Sequence, residues 1–408
     1  MVWILLLAVT LSSFLSGCGS HRGQEETQMT EFLQEGILVA EASEIKGSPV
    51  ALTLQDSGPV VEFSERLMRE ALVRAREDRK ENVVLSPMSV YLALMVMACV
   101  DEEAGRDTYA QVLGVSQDQW NDYGRRLMRQ MNWTKEDSCV AAANSLWMDD
   151  TASLPAGDLM RISQNLHTNV YQGDLQHKDI VTAINMWVKL QTRGMIQEFR
   201  QDPYDEMTTL SILNAVYLEA KWQDAFSAAD TMEKVFYTAA NEELTTDFMT
   251  DFLCHRSYAQ KEGLDGVVLP YRDGNLAFVA LRPTTGRSVD ELLVSLQADD
   301  WKEICDDSVD TFMNFSMPKF TVEYQQTLTD VMTDMGLMPD LGIGQMVKVQ
   351  VDEEGTKAAA VTEITAGGVI EISEEPLEIH LDHPFVYGIV DMVSGVPLFV
   401  GVMDRPGQ

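Results

Sequence analysis

Apolar residues recur at helical spacing in residues 61–79, where Phe63, Leu67 and Ala71 form a stripe widened by Met68 and Leu72. That is the pattern of a helix with one face on a core. Residues 89–100 are apolar almost throughout, so a helix there is buried on most sides. Ser86-Pro87 supplies its start, and Asp101 with the following charges its end. Further helices are predicted over 117–130, 179–191, 289–304 and 327–335. Strand-like runs occupy 140–147, 210–218, 266–281, 311–324, 346–351, 378–391 and 397–403. Helices dominate the first half and strands the second, with no long linker and no internal repeat after residue 50. The pattern predicts one mixed α+β domain.

The N-terminus follows a different pattern. Residues 2–15 form an apolar run too short to remain as a spanning helix, with the character of a signal-peptide core. It ends in Leu15-Ser16-Gly17-Cys18, which resembles the bacterial lipoprotein processing box. In that signal the cysteine receives the lipid and becomes the new terminus. Residues 1–17 are therefore expected to be a lipoprotein signal peptide, Cys18 the lipidation site, 18–50 a flexible tether and 51–408 the folded domain. The expected location is extracytoplasmic, lipid-anchored to a bacterial cell envelope or surface.

Charge narrows the partners. Lys and Arg total 30 against 64 Asp and Glu, a formal charge of -34. Such a surface repels nucleic acid and anionic membranes, which leaves the N-terminal lipid as the membrane contact. The other cysteines, Cys99, Cys139, Cys254 and Cys305, lie far apart without metal-ligand spacing and are expected as free thiols. The six histidines include no H-E-x-x-H, and the chain has no G-x-S-x-G elbow, Walker loop or dinucleotide fingerprint. No cofactor or metal is expected, and no catalytic residue is assigned.

The informative stretch is residues 351–373. From Thr356 every second residue (Thr356, Ala358, Ala360, Thr362, Ile364, Ala366) is small or apolar. The intervening set, Lys357, Ala359, Val361, Glu363 and Thr365, holds every charge of that run. With a side-chain period of two, one face suits burial and the other water. Gly355 permits a bend ahead of it, and no proline interrupts 356–375. Two readings fit: a permanent strand followed by an Ala-rich surface loop, or a segment that is loop in one state and strand in another.

From about residue 60 to the end, the chain resembles the serpin family. The resemblance is carried in order by Asn82-Val-Val-Leu-Ser86-Pro87-Met-Ser89, Asn144-Ser-Leu-Trp147, Ile184-Asn185-Met-Trp187-Val188 and Thr192-Arg-Gly194-Met-Ile196. It continues through Leu213-Asn214-Ala215-Val-Tyr217-Leu-Glu-Ala-Lys-Trp222 with Phe226 and Thr231, then Leu269-Pro270-Tyr271 and Met317-Pro318-Lys319-Phe320. Glu353-Glu354-Gly355-Thr356-Lys357-Ala358-Ala359-Ala360 is similar to the hinge of inhibitory members; His383-Pro384-Phe385 and Leu398-Phe399-Val400-Gly401 close the match.

The resemblance implies a single α+β domain with a five-stranded central sheet, further sheets, about eight to nine helices and a mobile reactive-centre loop over about 353–376. It implies a monomeric inhibitor rather than an enzyme: a serine protease, or a papain-like cysteine protease, attacks the loop, which then inserts in the sheet and traps the acylated protease. The hinge would be Glu353, Glu354, Gly355, Thr356, Ala358, Ala359 and Ala360, and the shutter Ser86, Ser89 and Asn214. Counting the family's loop from Glu353 places the scissile bond at Val369-Ile370, with Gly368 and Ser373 as alternatives. Val369 suits an elastase-like or subtilisin-like pocket. A non-inhibitory member, cleaved without trapping, is the second reading. One departure stands out: Gln345-Met346 occupies the place of the family's His-Lys pair.

Overall fold

The computed structural model describes residues 27–29, 32–33, 37–45, 54–100, 105–135, 137–284, 286–297, 299–337, 344–356 and 375–407. After β1 (Leu38–Ala40) comes α1 (Leu54–Glu77), which begins earlier than the apolar stripe predicts and runs through Pro59. Its first turn is pinned from outside, where the Tyr123 hydroxyl donates to the Asp56 carbonyl at 2.7 Å and Arg126 pairs with the Asp56 carboxylate at 2.8 Å. β2 (Val83–Leu85) leads into α2 (Pro87–Val100), whose Pro87 stands at the first helical position, where a missing N–H costs nothing. Apolar on all sides, α2 is buried along nearly its whole length, as predicted.

Next come α3 (Arg106–Leu113), α4 (Trp120–Gln130), β3 (Asn132–Lys135), β4 (Ser138–Met148), α5 (Ala156–Asn165), β5 (Thr168–Gln172) and α6 (Lys178–Gln191). Then follow β6 (Leu210–Lys221), β7 (Met232–Tyr237), β8 (Glu243–Lys261), β9 (Leu264–Pro270) and β10 (Leu276–Pro283). The predicted strand 266–281 is thus a hairpin, turned at Asp273-Gly274 with Gly274 at φ 76°. The predicted helix 289–304 is two helices, α7 (Val289–Ser295) and α8 (Asp300–Asp306). Ser288 and Glu291 cap α7 reciprocally, and Leu296 leaves it in extended conformation.

The predicted strand 311–324 divides at Lys319 into β11 (Val309–Pro318) and β12 (Phe320–Thr327), which belong to different sheets. After α9 (Thr329–Asp334) come β13 (Gly344–Val351), β14 (Gly355–Thr356), β15 (Leu377–His380), β16 (Phe385–Asp391) and β17 (Pro397–Met403). The predicted strand 378–391 is therefore β15 and β16, interrupted around His383-Pro384.

The fold is the α+β arrangement expected. The first sheet has five main strands in the order β5-β4-β6-β13-β12, with β14 wedged between β6 and β13, β1 on the edge of β5, and β3 on β4. The second runs β15-β11-β8-β9-β10-β16-β17-β2, with β7 paired to β8. The main core, including α1 and α2, fills one face of the first sheet. A smaller cluster on its other face joins Ile184 and Trp187 of α6 to Trp147, Tyr171 and Leu213.

Part of the stretch expected as a tether is instead held by this sheet. Residues 38–40 pair with β5, the Ala42 N–H donates to Asn169 Oδ1 at 2.7 Å, and the Ser43 N–H donates to the Ser163 carbonyl at 2.9 Å. Residues 1–17 and Cys18 lie outside the described residues.

Candidate functional site

The site is built where β13 turns into β14. Asp352 closes the turn, with its N–H on the Gly355 carbonyl at 3.0 Å and its Oδ1 accepting from the Glu354 N–H at 3.0 Å. β14 is antiparallel to both neighbours: Thr356 faces Val351 of β13 and Ala220 of β6, and Gly355 faces Lys221. No side chain fits at 355, because a Cβ there would sit 2.1 Å from the Ala220 carbonyl oxygen. Gly355 thus serves close approach of two backbones more than the bend expected from sequence. Thr356, the first of the small inward-phase residues, is buried, and its Oγ1 lies 2.5 Å from the Tyr271 hydroxyl.

An aromatic and charged frame holds this turn from above. Trp222 stacks on Tyr271 with centroids 4.8 Å apart and planes 8° from parallel. Its indole N–H donates to the Asp352 carbonyl at 2.8 Å, and its backbone N–H donates to the Glu354 carbonyl at 2.9 Å. Glu353 accepts from Thr231 Oγ1 at 2.9 Å and from Lys319 Nζ at 2.8 Å. Burial pushes the Glu353 carboxyl up, yet the bonds from Lys319, backbone and Thr231 outweigh it and hold the group below its ordinary value. Burial raises neighbouring Asp352 instead.

Below β14, β6 and β13 share no ladder among the described residues. The seam is marked by a small cavity of about 40 Å³ touching Ser86, Ser89, Asn214 and Gln345. Further down it opens into a cleft of about 1160 Å³ bounded by Leu210–Leu213 of β6 and by Gly344, Met346 and Lys348 of β13. At the small cavity, Gln345 Oε1 accepts from the Ser86 N–H and Gln345 Nε2 donates to the Ser86 carbonyl, each at 3.0 Å. The Ser89 N–H donates to Ser86 Oγ at 3.3 Å. Asn214 stands across the seam and donates to Asn144 Oδ1 at 2.6 Å, while Asn144 Nδ2 is held by the Leu166 carbonyl at 2.9 Å. The buried Asn214 Oδ1 has no hydrogen-bond partner among the described residues.

The structure therefore gathers Glu353, Glu354, Gly355 and Thr356 at the top of the seam, and Ser86, Ser89 and Asn214 at its middle. It does not link Asn214 to the serines by a hydrogen bond. Ala358, Ala359, Ala360, Gly368, Val369, Ile370 and Ser373 lie outside the described residues. Sequence reasoning gave no role to Trp222, Tyr271, Thr231, Lys319 or Asn144, although each sat within a motif quoted above. Cys99, Cys139, Cys254 and Cys305 are free, and burial raises the Cys99 and Cys254 thiols to about 11 and Cys305 to about 12. Among the described residues no group of three His, Cys, Asp or Glu is placed to hold a metal ion.

The model of the serpin (serine protease inhibitor) family matches residues 60–341 and 342–406. The chain belongs to the serpin family. It is 28% identical over 359 residues to Iripin-3 of Ixodes ricinus, covering 80% of this chain and 89% of the relative. The native-state structure of the thermophilic serpin Tengpin superposes with a TM-score of 0.79 at 25% identity, covering 90% of this chain and 97% of that one. The family is one of protease inhibitors in general, with exceptions: a relative from Arabidopsis thaliana, 25% identical and covering 80% of this chain and 79% of its own length, is named "Probable non-inhibitory serpin-Z5".

Proposed function

We propose that this serpin inhibits a protease as a suicide substrate, with the segment after Thr356 as bait. One observation carries the reading. Gly355 and Thr356 already occupy the slot between β6 and β13, and the strands beneath them are unpaired to each other among the described residues. A segment that continued down the slot would satisfy backbone groups on both edges, each bond contributing about 0.5–1.5 kcal/mol net. It would also bury its small-residue face. The side chains in phase with Thr356 are Ala358, Ala360 and Thr362, which add little steric or desolvation cost to that movement.

In this reading Glu353 to Ala360 are the hinge, and Ser86, Ser89 and Asn214 the shutter. Cleavage falls at Val369-Ile370, with Gly368 and Ser373 marking the alternative bonds, so the target takes small aliphatic side chains, as elastase-like or subtilisin-like serine proteases do. The inhibitor acts as a monomer from an extracytoplasmic position, tethered through lipid on Cys18. Incubation with elastase and with subtilisin, followed by denaturing electrophoresis, tests the mechanism. A covalent complex of summed mass supports it, whereas clean loop cleavage with undiminished protease activity refutes it in favour of a non-inhibitory role. Membrane release of a Cys18→Ala variant tests the anchor separately.

A further inference from the structure

A second cleft lies away from the seam, at the C-terminal end of α1. It measures about 990 Å³ and is walled by five segments remote in sequence: residues 76–81, the β7–β8 turn, the β10–α7 connection, the β15–β16 connection and Asp404 just past β17. Val289 and Leu381 are buried apolar wall, and Pro283 and Pro384 extend it.

Its charges are unevenly committed. Each lining carboxylate has a partner: Asp290 binds Arg76 at 2.7 Å, Asp382 binds His383 at 2.8 Å, Glu81 binds Arg405 at 2.8 Å, and Asp404 accepts from the Ala239 N–H at 2.7 Å. Arg76 and Arg282 are likewise held, by Asp290 and Asp265. Three cations remain. The side chains of Arg79, Lys80 and Arg287 have no ion pair or hydrogen bond among the described residues, and all three are exposed. In a chain with 64 carboxylates against 30 Lys and Arg, these three cations line one cleft without a carboxylate partner among the described residues.

Local backbone points the same way. Arg79 sits at φ 59°, in the left-handed region just past α1, while the Lys80 N–H closes the helix end on the Ala75 carbonyl at 2.9 Å. Glycine is the low-strain residue at such a position, and an arginine there is strained. A cation stands where helix termination alone would select glycine.

We propose that this cleft is a binding site for a compact organic anion: a ring-bearing carboxylate or sulfonate whose apolar body lies on Pro283 and Pro384 while its charge meets Arg79, Lys80 and Arg287. A concave, partly apolar cleft with a few convergent charges is the usual form of such sites. A long polyanion is the poorer fit, because it needs a flat basic stripe and the surrounding surface is acidic.

The probe is 1-anilinonaphthalene-8-sulfonate, titrated by fluorescence into the full chain, with uncharged N-phenyl-1-naphthylamine as control. The expected result is one saturable sulfonate site whose Kd rises with salt and rises about tenfold or more in Arg79→Ala/Lys80→Ala/Arg287→Ala. The uncharged analogue should bind more weakly and equally to both proteins. Unchanged sulfonate affinity in the triple variant, or equal affinity for the uncharged analogue, overturns the proposal. If circular dichroism shows the triple variant misfolded, Ala240→Trp, which fills the mouth from the exposed β7–β8 turn and keeps the three cations, decides alone. Loss of binding supports the site, and retention refutes it.

Discussion

The side-chain amide of Gln345 and the backbone of Ser86 hold each other through two hydrogen bonds, both 3.0 Å long. The pair ties β13 to the start of α2 at a point where β13 has no ladder with β6. Gln345 is buried, so each bond replaces one that water cannot supply. Gln345→Ala should lower unfolding free energy by about 1–3 kcal/mol, because it leaves the buried Ser86 N–H unsatisfied while the Ser86 carbonyl keeps only the Val90 N–H at 3.2 Å. Gln345→Glu should cost more, because its carboxylate faces the Ser86 carbonyl. Urea titrations of the three proteins check both order and size; an alanine variant as stable as the parent would show that the pair is energetically idle.

At the top of the same seam, Gly355 tolerates no Cβ, since the Ala220 carbonyl oxygen would be 2.1 Å away. Neither partner is a flexible side-chain end, so the strain has no cheap outlet. Gly355→Val should expel Thr356 from between the strands and destabilise the native form by about 1–3 kcal/mol. Amide exchange reads the displacement: protection at Thr356 and at the facing Ala220 should fall together, and protection within β4 should not.

These two contacts show what the sequence does and does not make legible. The helix and strand periodicities located α1, α2, α6, β4 and β6, because each keeps one period along its length. They failed where one apolar run serves two elements. Nothing in the period distinguishes Met317 from Val322, yet a turn at Lys319 sends β11 and β12 into different sheets. The turn at the top of the seam was legible because its residues are contiguous, in Glu353-Glu354-Gly355-Thr356. The frame that holds it was not, because Trp222, Tyr271, Thr231 and Lys319 arrive from four separate segments. Gln345 was visible as a departure from a family pattern. Its partner was not, since a backbone amide 259 positions away carries no sequence signal. Residues 38–45 read as tether because the run is short and its apolar positions keep no single period, yet the structure packs Ala40 and Ile45 on the main core and Leu38 on the smaller cluster.

Thr356 is 3% exposed and bonded to the Tyr271 hydroxyl, so a charge at this position has no route to water while β14 stays in place. Thr356→Arg should therefore keep the segment out of the slot. If insertion traps the protease, this variant should be cleaved as a substrate, with the covalent complex falling from the main product to a trace and protease activity returning. Densitometry of elastase reactions reads the ratio of complex to cleaved inhibitor. An unchanged ratio would mean that trapping does not require residue 356 inside the sheet.

Acid should act on the turn between β13 and β14 through two neighbours of opposite sign. Glu353 is held below its ordinary 4.5: burial opposes ionisation, and the bonds from Lys319, backbone and Thr231 outweigh it. Its contribution is therefore complete above 4.5 and is lost as pH falls through the depressed folded value. Asp352 is raised above 3.8 by burial, so its ionised form weakens the fold at neutral pH, and that penalty disappears as pH falls through the raised value. Glu353→Gln should lower stability at pH 7 and flatten the decline below about pH 4.5. Asp352→Asn keeps an oxygen to accept from the Glu354 N–H, so it should raise stability at pH 7 and steepen the acid decline. Melting temperatures of the three proteins between about pH 3 and 7 distinguish these slopes. Parallel curves for all three would mean that neither carboxylate couples its proton to the fold, and the Lys319–Glu353 pair would then be a surface contact without energetic weight.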